Sequence, residues 1–597
     1  MRNGGSGSLR FDGKEYEVVE INSIKEIIDN TIYECDDRVA YMYKVSHKEP
    51  FRELKYGDFK ELMDALGTRL IHMGLKGSKI AIIGENSYRY ALTYFTTVCG
   101  VGVIVPIDRH LMQDEVKNLL IRADVEMIFA DPAQLPKLRP LLDEVETLKN
   151  IVLMQEEAFN GDEDERVLSQ DDLIDEGREL LVEQDGSYTD AYVDPESLAT
   201  ILFTSGTTGL AKGVMLSHKN FAKNVENMSK FFHAPKNTRA LSILPMHHSY
   251  EMTCSIMTCF YQGKTIVFCE GLKYLQSNFQ EAKCNVMLGV PLIFENIHRK
   301  IFKMAEKSGE AENLQKGLEF ARKWNIKESK FLTRKLFKSI QDIFGKDLYC
   351  LIAGGAAIDP QVLVDFKTMG LPIIQGYGMT ECAPIIALNP DRFSTDAAAG
   401  LPLPGTEIKI IDKDENGIGE VVCRSDSVMM GYYKDPKATA EAIDEDGWLH
   451  TGDYGFIDGD GWLYITGRKK NVIVTKGGKN IFPEEIELYL LMDEAISEVI
   501  VYGREDLADD VVCTALIVPS KVYMEENQLT TDEDMYDRIK LAVENANIKV
   551  PAYKRVRRIE IRDEEFIKTT TLKIKRFEKE NYEYRLDSAS FEEGRRF

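Results

Sequence analysis

Ile201-Leu-Phe-Thr-Ser-Gly-Thr-Thr-Gly-Leu-Ala-Lys-Gly213 joins a short apolar run to a loop of hydroxyls and glycines with one lysine. Glycine lets a backbone curl until several N–H groups face one anion, and hydroxyls add donors. The stretch reads as a phosphate cradle at the end of a buried strand. It is not a Walker A loop, which needs Gly at 211 and Ser or Thr at 213, where this chain has Ala211 and Gly213. A flexible surface loop is the plain alternative.

Upstream, residues 57–70 place apolar groups at helical spacing and lead into Lys79-Ile-Ala-Ile-Ile-Gly84. Further short apolar runs follow at Val103–Ile107 and Glu126–Asp131. Helices alternating with short buried strands predict an α/β domain with largely parallel sheets. Residues 155–198 are acid-rich and weakly periodic, and read as an exposed connection. Downstream, from about 400 to 467, short strands with Gly and Pro turns predict a small β subdomain. After Gly467-Arg468 a fresh α+β unit begins, with strands expected at 496–502 and 512–518.

At 597 residues, 44% apolar and 29% charged, the chain needs more than one hydrophobic core. Its net charge of -24 argues against general nucleic-acid binding, which uses a basic face. Ten scattered cysteines form no CxxC pair and no zinc-type spacing, so they read as reduced thiols in a cytoplasmic protein. Met-Arg-Asn-Gly-Gly-Ser-Gly-Ser at the start has no apolar core, so it is not a secretory signal. The uncharged run Ala91 to Ile107 falls short of the ~20 mostly apolar residues of a bilayer span. A buried helix followed by a buried strand accounts for it.

The loop at 201–213 resembles the signature of the adenylate-forming superfamily, which includes acyl-CoA synthetases, peptide-synthetase adenylation domains and beetle luciferases. Ala211 stands where that signature has Pro. The superfamily's other motifs follow in order: Gly354-Gly-Ala-Ala357, Gln375-Gly-Tyr-Gly-Met-Thr-Glu381, Trp448-Leu-His-Thr-Gly-Asp453, Tyr464-Ile-Thr-Gly-Arg-Lys-Lys470 and Lys568-Thr-Thr-Thr-Leu-Lys573. Each string alone could be a turn or, around Lys573, a solvated basic strand edge. Five in the right order are hard to obtain by accident.

The resemblance implies a role for each position. Thr204, Ser205, Gly206, Thr207, Thr208, Gly209 and Lys212 would cradle phosphates. Gly355, Ala356 and Ala357 would wall the adenine pocket, together with Gln375, Gly376, Tyr377, Gly378 and Met379, with the Tyr377 ring stacked on the base. Thr380 would bond the α-phosphate and Glu381 would hold Mg²⁺, a hard carboxylate for a hard cation. Asp453 would accept the ribose hydroxyls beside Ile465 and Arg468. Lys573 would be the adenylation lysine, although Leu572 replaces the common Gly before it. His247, His248, Tyr250 and Gly354 would line the acyl pocket. The pair argues against a metal role for the two histidines, since adjacent side chains on an extended segment point apart.

By the same resemblance the chain has an N-terminal adenylation domain over 1–467, a hinge at 468–470 pivoting on Lys470, and a mobile C-terminal domain over 471–597. Its activity would be ATP-dependent ligation of a carboxylic acid to CoA through an acyl-AMP. Val290-Pro-Leu-Ile-Phe-Glu-Asn-Ile297 and a helical insertion before Gly354 look most like long-chain fatty acid ligases. Residues 313–345 interleave apolar and basic side chains, a pattern that could dock peripherally on the inner membrane surface or pack as core beneath a solvated face. Transfer to an acyl-carrier protein and a non-catalytic ligase scaffold are the rival readings.

Overall fold

The computed structural model describes residues 15–155, 161–204, 211–326, 329–345, 347–475, 479–505, 511–569, 573–576 and 578–587. These fall into two compact units. The first holds the described residues of 15–204, 211–407 and 423–449; the second holds 408–422 and those from 450 onward.

Two large mixed sheets form the first unit. In one, Lys79–Ile83, Val103–Ile107, Val125–Ala130, Asn150–Leu153 and Val167–Ser169 run parallel, and Leu198–Thr204 joins them alongside Val103–Ile107. In the other, Arg239–Ser242, Thr265–Phe268, Val286–Gly289, Cys350–Ala353 and Ile373–Gly378 are parallel. Antiparallel strands are added at the edges, among them Ile385–Leu388 and the Lys212–Ser217 partner of Leu198–Thr204. The fold is thus α/β with parallel-rich sheets. Their strands are nearly continuous Ile, Val and Ala because both faces are covered.

Local chemistry sets the helix starts. Ser23, Ser87 and Ser217 each accept a backbone N–H at a helix N-terminus, and Ser217 forms a reciprocal capping box with Asn220. The Ala91–Ile107 expectation holds. Tyr88–Thr96 is a buried helix, a wider turn covers Thr97–Val101, and the buried strand Val103–Ile107 follows.

The 155–198 expectation needs correction. Val167–Ser169 closes one sheet edge, and the helix Gln170–Val182 packs on Tyr56–His72. Its acidic outer face masks the few apolar positions, Leu173 and Ile174, that are buried. Glycines set the approach: a Cβ at Gly177 would stand 1.9 Å from the Ala65 carbonyl oxygen, and one at Gly67 would meet the Tyr188 ring at 2.3 Å. Backbone cannot yield as a flexible side chain can. Gly177→Ala is therefore expected to cost about 3 kcal/mol, read as a lower urea midpoint of the first transition.

The second unit carries a small β sheet ordered Glu407–Ile411, Gly419–Arg424, Leu449–Ile457, Leu463–Arg468. It also carries an α+β body in which Ile496–Glu505 pairs antiparallel with Val511–Pro519, which runs parallel to Val556–Ile561. Helices Pro483–Leu491 and Asp532–Ile548 bury Ile486, Leu490, Ile539 and Val543 against that sheet. Among the described residues no helix is long and apolar enough to cross a membrane.

Candidate active site

The predicted positions fall into two groups, one in each unit. In the first unit Thr204 and Lys212 are register partners at the mouth of the Leu198–Thr204/Lys212–Ser217 hairpin. Ser205, Gly206, Thr207, Thr208 and Gly209 lie outside the described residues. The Lys212 ammonium sits 4.8 Å over the Tyr432 ring, and the Tyr432 hydroxyl donates to Glu381 Oε1 at 2.9 Å. Burial, then the Glu381 charge, raises the Tyr432 pKa, so the phenol stays a donor. Lysine, phenol and carboxylate are thus linked through the one tyrosine.

Thr380 and Glu381 occupy a short 3-10 turn, Thr380–Cys382, that follows the strand Ile373–Gly378. A Cβ at Gly378 would lie 2.0 Å from the Pro384 carbonyl oxygen, so only glycine permits this return of the chain. The Met429 N–H donates to the Glu381 carbonyl at 2.9 Å, and Ser249 Oγ is 3.4 Å from Thr380 Oγ1. The Gln375 side chain donates to the carbonyls of Ala398 (2.8 Å) and Asp396 (3.3 Å), which braces the following loop. Gly376 and Tyr377 pair with Leu388 and Ala387. Gly355, Ala356 and Ala357 form an exposed loop, whereas Gly354 is buried. A Cβ at Gly354 would be 2.7 Å from the Tyr250 hydroxyl, which donates to the Ile352 carbonyl at 3.3 Å.

The histidine pair differs from the expectation of divergent side chains. The His248 N–H donates to the Pro245 carbonyl, making a turn rather than an extended segment, and the two rings lie 4.2 Å apart. Burial, then the His110 and Arg109 charges, pushes His247 down to about 3. It is a neutral ring at physiological pH.

A Mg²⁺ ion accompanying ATP needs hard oxygen donors and keeps several waters or phosphate oxygens, so one protein carboxylate suffices. Glu381 fits. Oε1 is held by Tyr432, and Oε2 has no donor among the described residues. Among the described residues no cluster of three His, Cys, Asp or Glu could hold a metal by itself.

In the second unit Asp453 and Arg468 face each other across antiparallel strands, with Arg468 Nε 2.9 Å from Asp453 Oδ1. The Asp453 side chain is 5% exposed and the Arg468 side chain 51%. Ile465 pairs with Gly455 in the same ladder. Lys470 lies on the short turn Lys469–Asn471, held by Lys469–Glu420 (2.5 Å) and by Asn471 donating to Glu484 (2.6 Å).

Lys573 is presented by a hairpin. The Thr569 N–H donates to the Lys573 carbonyl at 2.7 Å, and the Lys573 N–H to Thr569 Oγ1 at 3.1 Å. At the base the buried Asn581 accepts from the Ile567 N–H and donates to the Ile567 and Lys575 carbonyls. Lys568 pairs with Glu498 and Glu565, and Arg576 with Glu487. The basic edge is thus divided: Lys568 and Arg576 are fixed by carboxylates, and no carboxylate lies within ion-pair distance of Lys573 among the described residues. Lys573 keeps solvent-exposed surface, yet its ammonium is crowded by protein. Burial first, then the Arg468 charge, lowers its pKa to about 8, with Asp453 pulling the other way. Leu572 lies outside the described residues.

Two profiles describe the chain: an AMP-binding enzyme domain matches residues 29–433, and an AMP-binding enzyme C-terminal domain matches 470–585. The chain belongs to the AMP-binding enzyme family. Among relatives of this AMP-binding enzyme, long-chain-fatty-acid–CoA ligase 1 of Homo sapiens is 30% identical, covering 79% of this chain and 70% of its own. A long-chain-fatty-acid–[acyl-carrier-protein] ligase of Arabidopsis thaliana is 25% identical, over 88% and 79% of the two chains. An anthranilate CoA ligase solved with anthranoyl-AMP superposes with a TM-score of 0.73 at 19% identity, over 94% of this chain and 96% of that one. The AMP-binding enzyme therefore has the adenylate-forming fold, within a family of acyl-CoA ligases. Tyr432 and Ser249 were not legible as site residues, because each reaches its partner from a distant part of the chain, and Asn581 was not because it lies outside the motif whose backbone it braces.

Proposed function

We propose that this enzyme joins a medium- to long-chain fatty acid to CoA through an acyl-AMP, releasing AMP and pyrophosphate. The observation that carries the reading is the grouping of Lys573 with Arg468 and the buried Asp453. A buried carboxylate that can accept both ribose hydroxyls, beside two cations, is a nucleotide site with charge reserved for phosphate.

In the first step the acid's carboxylate oxygen attacks the α-phosphorus of ATP, and the bond to pyrophosphate breaks. Lys573 and the Thr380 hydroxyl stabilise charge on the α-phosphate oxygens, and Lys212 with the 204–209 loop holds the outer phosphates. Tyr432 orients Glu381, which would hold Mg²⁺; that ion supplies Lewis-acid neutralisation of the phosphates. Tyr377 and the 354–357 loop take the adenine. His247, neutral and buried, together with His248, Tyr250 and Gly354, offers the acyl group a wall without charge. In the second step the CoA thiolate attacks the acyl carbon and AMP leaves. The domains 1–467 and 471–597 pivot on Lys470 in the 468–470 hinge between these steps. The enzyme works in the cytoplasm, at the inner membrane surface.

The test is mass-spectrometric detection of acyl-CoA and AMP from purified protein with ATP, Mg²⁺ and CoA across acids from butanoate to stearate. Thioester on the longer acids is the expected result. Acyl-AMP without thioester would move the acceptor to a carrier protein, and no product from any acid would overturn the reading. Glu381→Gln is expected to lower Mg²⁺-dependent product formation by about 10²-fold or more.

A further inference from the structure

Three helices, Pro291–Lys307, Ala311–Lys323 and Lys330–Phe344, lie in sequence between the strands Val286–Gly289 and Cys350–Ala353. They sort their apolar residues into two sets. Leu314, Leu318, Ala321, Phe337 and Phe344 are buried. Phe320, Trp324 and Phe331 are 51%, 64% and 76% exposed, and Leu332 and Leu336 are exposed with them. Among the described residues these three are the only exposed Phe or Trp side chains. The Phe320 and Trp324 rings stand one helical turn apart, their centroids separated by 6.3 Å.

The charge around them is opposite to that of the whole. Residues 299–338 carry 12 Lys or Arg against 5 Asp or Glu, in a chain of net charge -24. Arg322 and Arg334 are paired with Asp365 and Asp342. Lys323, Lys335 and Lys338 are exposed, and among the described residues none has a carboxylate within ion-pair distance.

We propose that this face docks the protein on an anionic lipid bilayer. Aromatic rings favour the acyl–headgroup boundary, and lysines extend past them to lipid phosphates. Each lysine near such a surface gains from its negative potential, while the acidic remainder of the protein is repelled and turned outward. A second copy of the chain is a poorer occupant, because pairing this face with itself would oppose two sets of lysines. The face gives the proposed membrane-side location its surface. Vesicle binding needs no catalytic step, so docking and the ligase reading can fail separately.

The experiment is co-sedimentation of the full chain with phosphatidylcholine vesicles, with and without about a third phosphatidylglycerol. Binding to the anionic vesicles alone, weakening as salt rises, is expected. The triple variants F320S/W324S/F331S and K323E/K335E/K338E should each lower bound protein about tenfold while acyl-CoA formation from dissolved acid is unchanged. Trp324→Phe should keep binding but lose the vesicle-induced blue shift of tryptophan emission. No binding by the unsubstituted chain, or binding by both triple variants undiminished from that of the unsubstituted chain, would overturn the proposal. A concentration-dependent dimer abolished by F320S/W324S/F331S would also overturn it, assigning the face to a second copy.

Discussion

Lys573→Ala is expected to lower acyl-adenylate formation by about two to three orders of magnitude, while thioester formation from supplied acyl-AMP should stay within about threefold. The argument starts from the hairpin. Lys568 and Arg576 are already engaged with Glu498, Glu565 and Glu487, whereas Lys573 is the cation of this edge that stands near Arg468 and Asp453. Its neighbours Arg468 and Asp453 form the proposed ribose clamp, and the lysine is needed only where charge develops on the α-phosphate. Equal loss in both half-reactions would remove the role.

The same group sets a pH dependence. Its pKa is lowered to about 8, so the ammonium is present below that value and lost above it. In the adenylation half-reaction kcat/KM for ATP should fall as pH rises through about 8, because that ratio reports the free enzyme. Bound triphosphate favours the charged form, so kcat should fall only at higher pH. Lys573→Arg, permanently charged, should remove the alkaline fall in kcat/KM even at reduced activity. An unchanged fall in that variant would assign the titration to another group.

Arg576→Ala is expected to destabilise the second unit locally by about 3 kcal/mol. Glu487 is buried and accepts the Val501 N–H at 2.6 Å, while Arg576 donates to the Val501 carbonyl at 3.1 Å as well as pairing with Glu487. Removing the guanidinium leaves a buried carboxylate with one donor and a strand carbonyl without its partner. Burial already raises the Glu487 pKa despite the arginine, and loss of the arginine would raise it further. Hydrogen exchange in peptides covering Ile496–Glu505 should quicken about a hundredfold, and unchanged protection would show that the pair contributes little.

Several features were legible in the sequence because short-range chemistry decides them. The uncharged run from Ala91 to Ile107 reads as a buried helix followed by a buried strand, and nearly all of it is buried. Gly378 beside Thr380 and Glu381 marks a tight return, and the contact with Pro384 supplies the reason. The Gln170–Val182 helix was hidden because its acidic residues outnumber the few that pack, and glycine, which carries no hydrophobic signal, makes the closest contact. The His247–His248 contact is not legible in the letters, because it depends on a turn that brings adjacent rings together. Within 313–345, helical spacing could not separate core from surface; the neighbouring helices make that division.

Asn581 closes the hairpin that carries Lys573 from outside the motif itself. An amide both accepts and donates, so one side chain joins both arms of the hairpin at its base. The reach of the lysine is therefore calibrated by a residue that makes no contact with substrate in the proposed mechanism. For anyone trimming or fusing this domain, the working edge of the proposed catalytic apparatus lies at Asn581 rather than at the lysine.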